Sequence, residues 1–465
     1  MMNGFRGLEE ALQQPEPAAA LSPQLSTPPF DQDVETARRI VDLIFGPPGS
    51  RPFAVRYWNG WDDGAGDSVR FTMVVRTPGA LRRVLLPPSE LAMIEAFLDD
   101  SLDVEGEMMA AGQLADSLQN GLRSPAAIIE VARLVAQLPR DPVPRTTGAK
   151  RRLSHMLLPH TKKADERSVR FHYDVGNDFY RLWLDKRMQY SCAYFPTGAE
   201  SLDDAQTAKL EHICRKLRLQ PGERLLDVGC GWGGLLHYAG TRYGVEGVGI
   251  TLSEEQAKVA RKRLAAAGLG ERCRIEVRDY RDMHALGGFD KAVSIGMREH
   301  VGASRLEGYF SAVSSQLRPG GLFLDHGIAR GGMAETRGVR AWAARRVWRR
   351  DEFIRRYVFP GGELVPVGRL ATVGERAGLE VRDIENLREH YTRTLQCWVE
   401  RLEAQHREIV SLVGERTYRV WRLYVAGAAL GFASGSTTLI QTLYAKPHAG
   451  GRVDLPPTRE DLYRS

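Results

Sequence analysis

Cysteine is scarce in this chain: five residues, Cys192, Cys214, Cys230, Cys273 and Cys397, in 465, with no CxxC pair. An odd, scattered set in a chain of this size argues against a disulfide framework and a thiolate zinc site, and fits a reducing cytoplasm. Long hydrophobic runs are lacking too. The apolar stretch from Tyr424 to Ala433 falls far short of the ~20 residues a bilayer span needs. The N-terminal stretch carries no apolar segment behind a basic start, so no secretory signal is expected. Nor is there a strong excess of one charge: Lys+Arg 64 against Asp+Glu 58 gives +6, which allows an anionic partner without choosing one. With 43% apolar and 26% charged residues, Gly 47 and Pro 24, collagen-like, mucin-like and globally disordered classes are excluded. What remains is a soluble or peripheral globular protein of two or three domains with a large core.

Along the chain, residues 1–33 are rich in Pro, Gln, Ser and Ala and read as a disordered tail. From Val34, Ala37, Ile40, Val41 and Ile44 recur at helical spacing until Gly46-Pro47-Pro48-Gly49 stops them. Strands are expected at Phe53 to Trp58 and from Val69 to Val75, and helices at Ser89 to Leu98 and Ser124 to Leu138. Residues 34–138 therefore read as a small α+β domain, and the Pro-rich residues 139–165 as a basic linker. In residues 166–465, strand-like runs at Arg224 to Val228, Gly247 to Thr251, Arg274 to Val277, Lys291 to Ile295 and Gly321 to Asp325 alternate with helical ones. That alternation predicts an α/β fold: a doubly wound parallel sheet with helices on both faces.

The first of these strands runs into a glycine-rich turn, Leu226-Asp227-Val228-Gly229-Cys230-Gly231-Trp232-Gly233-Gly234, before a helix expected from Leu235. Glycines there allow positive φ and close backbone approach, so a cofactor can lie on main-chain amides at the carboxyl edge of the sheet. The spacing is not GxGxxG, and no Lys-Ser/Thr pair follows to hold a triphosphate, which argues against a dinucleotide dehydrogenase and a P-loop enzyme. One βα unit later, Thr251-Leu252-Ser253-Glu254-Glu255-Gln256 opens a helix. Ser253 and Gln256 fit either an S-x-x-Q capping box or ligand contact, and the two roles are compatible.

Several further motifs carry a resemblance. His172-Tyr173-Asp174-Val175-Gly176-Asn177, Tyr190-Ser191-Cys192-Ala193-Tyr194-Phe195, the glycine turn, Gly249-Ile250-Thr251-Leu252-Ser253, Gly296-Met297-Arg298-Glu299-His300-Val301-Gly302 and Tyr357-Val358-Phe359-Pro360-Gly361-Gly362 occur in order. Together, over about Glu166 to Lys446, they resemble the cyclopropane-fatty-acyl-phospholipid synthases, which are class I S-adenosylmethionine-dependent methyltransferases. The resemblance implies a Rossmann-like domain that alkylates cis double bonds of phospholipid acyl chains. It also implies cofactor contacts at Tyr190, Ser191, Asp227, Gly229, Gly231, Gly233, Thr251, Leu252, Ser253 and Gln256, with Tyr280 and Arg281 near the adenine.

Attack of an alkene on a sulfonium methyl generates a carbocation, so such a site needs alignment, exclusion of water and a base. The resemblance implies that the base is a bound bicarbonate in a cage of Cys192, Glu299, His326, the backbone of Ile328, and Tyr391. Each has a plainer alternative: Cys192 as a small buried apolar group, His326 as a core histidine, Glu299 as a helix-terminal carboxylate, Tyr391 as packing surface. Arg298 stands where the family usually has an aromatic residue, which puts a charge beside the cage. Ala428 replaces a cysteine found in many relatives.

Between His326 and Tyr357, Arg337, Arg340, Arg345, Arg346, Arg349, Arg350, Arg355 and Arg356 are interleaved with Trp342 and Trp348. That composition suits either an anionic lipid surface or a solvated basic helix. The expectation is therefore a cytoplasmic enzyme, peripheral at the inner face of the membrane, with an N-terminal domain that engages the membrane or forms a homodimer. Methyl- or methylene-branched products are the alternative outcome. A non-catalytic lipid-binding protein and a nucleic-acid methyltransferase are disfavoured: the cage looks complete, and neither an Asn/Asp-Pro-Pro-Tyr motif nor a Pro-Cys nucleophile is present. No nucleic-acid partner and no metal site are expected.

Overall fold

The computed structural model describes residues 31–64, 69–112, 114, 124–141, 162, 172, 175–332 and 350–463. The expected tail up to residue 30, most of the 139–165 linker and residues 337–349 of the arginine run lie outside them, as does the side chain of Arg350.

The N-terminal unit begins with a helix at Gln32–Phe45, two residues before the expected Val34. The carboxylate of Asp31 accepts from the amides of Asp33 and Val34 and caps the helix, which draws the end of the expected tail into ordered structure. Strands β1 (Phe53–Arg56), β2 (Phe71–Val75) and β3 (Leu102–Gly106) form a three-stranded sheet in that order, β1 parallel and β3 antiparallel to β2. The expected helices are present at Glu90–Leu98, capped by Ser89, and Pro125–Gln137. A helix at Ala80–Leu85 and strand β3 were not anticipated. In β3 only Leu102 and Val104 are apolar and buried, too brief an alternation to announce a strand.

The larger sheet has seven strands: β4 (Arg224–Val228), β5 (Glu246–Thr251), β6 (Cys273–Val277), β7 (Phe289–Ile295), β8 (Leu317–Arg330), β9 (Glu380–Asn386) and β10 (Thr437–Ala445). Their order is β6-β5-β4-β7-β8-β10-β9. From β6 to β8 every neighbouring pair is parallel, as expected. The expectation of a wholly parallel sheet is corrected at one edge, where β10 runs antiparallel to both β8 and β9. β10 is buried on both faces and so lacks the alternation of a half-buried strand. Three helices, Arg388–Ala404, His406–Val413 and Glu415–Ala433, separate it from β9.

Helices cover both faces. Leu225 of β4 packs with Leu210, Ile213, Leu236 and Ala260 on one side, while its neighbour Leu226 joins Tyr309, Phe310 and Val313 on the other. A third core is continuous from the N-terminal unit into the aromatic residues of the larger one, including Phe97, Trp183, Trp398 and Trp421. Polar contacts cross the same junction. Glu95 accepts from the Tyr357 hydroxyl and pairs with Arg356 and Arg416, each at 3.2 Å. Arg419 reaches Asp100 at 2.8 Å and Asp103 at 3.0 Å.

Phe310 is fully buried among Tyr309, Phe323 and Tyr444, with ring centroids 5.5 to 5.8 Å away. Phe310→Ala is expected to cost ~3–5 kcal/mol of stability through the cavity it leaves. Denaturant titration would read this as a lower midpoint at unchanged slope.

Candidate active site

Strand order reverses between β4 and β7, and the glycine turn leaves the carboxyl end of β4 at that switch point. Gly229, Gly231 and Gly233 have φ of 86°, 52° and 73°, a region costly for residues with a Cβ. A Cβ on Gly233 would also sit 2.9 Å from that of Ala260. The loop after β7 closes on the turn, with Met297 3.4 Å from where a Gly229 Cβ would be. Buried Asp227, next to last in β4, has its carboxyl pushed up to about 7 by desolvation, against the pull of Lys209. At the end of β5, Ser253 Oγ accepts from Gln256 N at 3.3 Å. The side chain of Gln256 turns to Thr251 Oγ1 at 3.0 Å instead of the Ser253 amide, so only half of the capping box forms. Leu252 lies between them, half-buried. After β6, Tyr280 packs edge-on to Tyr309, and Arg281 lies 4.6 Å from the Tyr280 ring while paired to Asp279 at 2.7 Å. The expected cofactor residues of β4, β5 and β6 thus share one edge of the sheet. The glycines leave that edge free of side chains at three positions, a surface on which a nucleoside cofactor would fit.

Tyr190 sits in a wall of rings: His172 at 5.6 Å, Trp183 at 5.5 Å, Trp398 at 5.3 Å and Trp421 at 6.2 Å between centroids. His172 Nδ1 donates to the Val358 carbonyl at 3.1 Å, and burial holds its pKa near 3, so it is neutral. Phe359 stacks on it at 4.0 Å. The His172 and Tyr357-to-Gly362 motifs therefore meet here, although sequence reasoning gave them no role.

The five expected cage residues are linked to the antiparallel edge by strand pairing and hydrogen bonds. Ile328 and His326 of β8 stand opposite Leu439 and Gln441 of β10. The Leu439 carbonyl accepts from Leu387 N at 2.8 Å, and the Leu387 carbonyl accepts both Tyr391 N at 3.0 Å and the Cys192 thiol at 3.8 Å. Tyr391 packs on Phe432 at 4.6 Å. Burial pushes the Cys192 thiol far above its usual range, so it stays a neutral S–H. Burial and nearby cations, Lys209 and Arg298 first among them, drive His326 well below its ordinary pKa. The Gln441 amide lies 3.0 Å from His326 Nδ1; with that amide donating, the neutral ring carries its proton on Nε2. Glu299 Oε1 accepts from the Ile328 amide at 2.6 Å, and burial raises this carboxyl above its normal range in spite of Arg298. Ile328's backbone thus orients Glu299. Among the described residues, His326 Nε2 and Glu299 Oε2 are buried without a hydrogen-bond partner.

Arg298 does stand beside this cage, where its charge acts on Glu299 and His326, and it is largely matched there by Asp325. It is buried, ion-paired with Asp325, and donates to the Gly327 carbonyl at 2.5 Å. Ala428 lies half-buried against the aromatic core. Residues that sequence reasoning missed are Gln441 and Lys209; the latter is fully buried, on the same helical face as Ala205, Ile213 and Leu217. A lysine in phase with an apolar stripe was the available signal.

This fold, with a glycine turn at its switch point, defines a class I methyltransferase-like α/β protein. The chain belongs to the mycolic acid cyclopropane synthetase family, which it matches over residues 160–442. It is 41% identical over 416 residues to a Pseudomonas putida protein named "Probable fatty acid methyltransferase", covering 89% of this chain and 96% of that one. It is 40% identical over 275 residues to the cyclopropane-fatty-acyl-phospholipid synthase of Escherichia coli strain K12, covering 59% and 66% respectively. A mycolic acid cyclopropane synthase crystallised with SAH and CTAB superposes with a TM-score of 0.57 at 33% identity, over 62% of this chain and 99% of that one.

Removing one partner of the Arg298–Asp325 pair leaves a buried charge uncompensated. Arg298→Met is expected to lose ~3–5 kcal/mol of stability, and Arg298→Met/Asp325→Leu to recover most of it. Urea melts of the single and double variants check this.

Proposed function

We propose that this chain transfers a methyl carbon from S-adenosylmethionine to the cis double bond of unsaturated phospholipid acyl chains and closes a cyclopropane ring. The observation that carries the reading is that His326 Nε2 and Glu299 Oε2 are both buried with no hydrogen-bond partner among the described residues. Polar atoms left dry and unpaired are costly, and an oxyanion partner accounts for them. The cofactor, when bound, supplies an electrophilic sulfonium methyl. Gly229, Gly231 and Gly233 would cradle it, Thr251, Leu252, Ser253 and Gln256 line the nucleoside side, Tyr280 and Arg281 flank the adenine, and Tyr190 and Ser191 reach the sulfonium end. The ring of Tyr190 attracts a cation through its face. Bicarbonate, when held by the cage, supplies a weak base for the methyl proton lost as the second C–C bond closes.

The chain's own residues set that chemistry. Neutral His326 donates from Nε2; burial raises the Glu299 carboxyl and so favours the form in which Oε2 can donate; the Cys192 thiol spends its proton on the Ala193 carbonyl at 3.1 Å, which leaves two donors for a small oxyanion. The ring wall of Trp183, Trp398 and Trp421 keeps water from the carbocation. A methyl-branched product is the second reading. Its support is the relative that spans nearly the whole chain and is named for methyl transfer to fatty acids. Among the described residues no helix is long and apolar enough to cross a membrane. In this reading the lipid is reached from the membrane surface, and the arginine run is the sequence feature suited to that.

Purified protein incubated with methyl-labelled S-adenosylmethionine, bicarbonate and vesicles of cis-unsaturated phospholipid is expected to yield fatty acids heavier by one CH₂. Fragmentation separates ring from branch, and no labelled lipid from folded, cofactor-binding protein across several acyl chains would refute acyl alkylation. Glu299→Gln and Cys192→Ser should each lower turnover by about 10²-fold or more while SAH affinity stays nearly intact. Loss of cofactor binding in both would remove them from the cage. Replacing Arg345, Arg346, Arg349 and Arg350 with glutamine should weaken binding to anionic vesicles in a salt-dependent manner, read by co-sedimentation.

A further inference from the structure

Lys209 has no part in the chemistry above, yet it is fully buried in the middle of the Leu202–Leu217 helix. Its Nζ donates to Gln189 Oε1 at 2.7 Å and to Ser191 Oγ at 3.0 Å. One turn earlier on that helix, Gln206 Nε2 donates to the carbonyls of the same two residues, at 3.3 Å to Gln189 and 2.9 Å to Ser191. The helix therefore grips the strip on either side of Tyr190 twice: by its main chain through Gln206 and by its side chains through Lys209. Gln189 in turn presses on the glycine turn, its Nε2 occupying the space a Cβ on Gly234 would need. Ser191 is half-buried, and among the described residues Lys209 is its one side-chain hydrogen-bond partner.

A hydroxyl that accepts from an ammonium group spends its own proton elsewhere, because the ammonium cannot accept. The contact with Lys209 therefore leaves the Ser191 hydroxyl to act as a donor. In the cofactor reading above, with the adenine end at Tyr280 and Arg281, the amino-acid end of the cofactor would lie toward Ser191. That end carries one acceptor group, the carboxylate, and one donor group, the ammonium. A donor backed by a buried cation selects the carboxylate.

We propose that Lys209 is a positioning residue for the cofactor's amino-acid end: through Ser191 it fixes a hydrogen-bond donor and a positive charge against the carboxylate. The proposal rests on the cofactor reading above. Desolvation holds the Lys209 ammonium down to about 8, with Asp185 first among the groups that oppose it, so it remains charged at neutral pH.

Calorimetric titration with two ligands tests it: S-adenosylhomocysteine, and 5′-methylthioadenosine, which lacks the amino-acid end. Lys209→Met is expected to weaken S-adenosylhomocysteine binding about tenfold or more, the loss of a charge-assisted bond, and to leave 5′-methylthioadenosine binding essentially unchanged. Ser191→Ala, a smaller change at a half-exposed hydroxyl, should show the same selectivity and keeps the test open if Lys209→Met does not fold. Adding Lys209→Met to Ser191→Ala should then cost little more. Equal weakening of both ligands by either variant, or no weakening of either, overturns the role of Lys209 and leaves the cofactor reading standing. Failure of the unaltered protein to bind either nucleoside overturns both.

Discussion

Polar groups placed below the reach of water must find partners, and most of the carboxyl edge of the seven-stranded sheet follows from meeting that requirement. Asp325 and Arg298 neutralise each other; the Ile328 amide takes one oxygen of Glu299; Gln441 takes one nitrogen of His326. The Leu387 carbonyl is shared between a helix amide and a thiol. An unmet donor or acceptor in such a place costs free energy comparable to several ordinary contacts. Among the described residues the buried polar atoms left unmet include His326 Nε2 and Glu299 Oε2, two of the side chains from which the proposed chemistry needs hydrogen bonds.

The strands that build the crevice were legible in the sequence because parallel strands buried on both faces read as short apolar runs, and four of them are separated by single βα units. The glycine turn after β4 was legible for a separate reason: three positive-φ positions in five residues require glycine. The antiparallel edge was not. β10 carries no polar alternation, and its partner β9 is separated from it by three helices, so no local pattern ties the two together. Yet this edge supplies Gln441 and the Leu439 carbonyl that order His326 and Leu387. The residue types of the cage were visible through the motifs that surround them; the partners of His326 and Cys192 were not, because they lie more than a hundred residues away in sequence. Arg298 illustrates the same limit. Its charge was visible in the sequence, whereas its neutralisation by Asp325 depends on β7 and β8 lying side by side.

The N-terminal unit shares a continuous core with the larger one, and it does so at a consequential place. Glu95 holds the hydroxyl of Tyr357 and the guanidinium of Arg356, and the next two residues, Val358 and Phe359, contact His172 in the aromatic wall. A shift of the three-stranded sheet would therefore be felt one turn later at the rings around Tyr190. Packed aromatic contacts transmit such a shift because interiors are dense and yield little. The smaller unit thus belongs to the construction of the site as well as to the surface of the molecule.

Electrostatics divides the crevice into two parts. Around His326 stand Lys209, Arg298, Lys216 and His212, all of which disfavour a proton on its ring. Of these, Arg298 is matched by Asp325, and Lys216 by Asp383 and Glu385, whereas Lys209 donates to a neutral amide and a neutral hydroxyl. Lys209 is thus hydrogen-bonded only to neutral groups, with carboxylates nearby but none in contact. A charge in a low-dielectric setting acts over several ångströms, so one lysine raises the potential on both sides: at the cage it favours an anion, and at Ser191 it favours a carboxylate. A sulfonium would be disfavoured by the same field unless it sat against a surface of opposite character, and the negative ring faces of Tyr190 and its neighbours provide one. The proposed cofactor meets these demands together, with its carboxylate toward the buried cation and its sulfonium toward the rings.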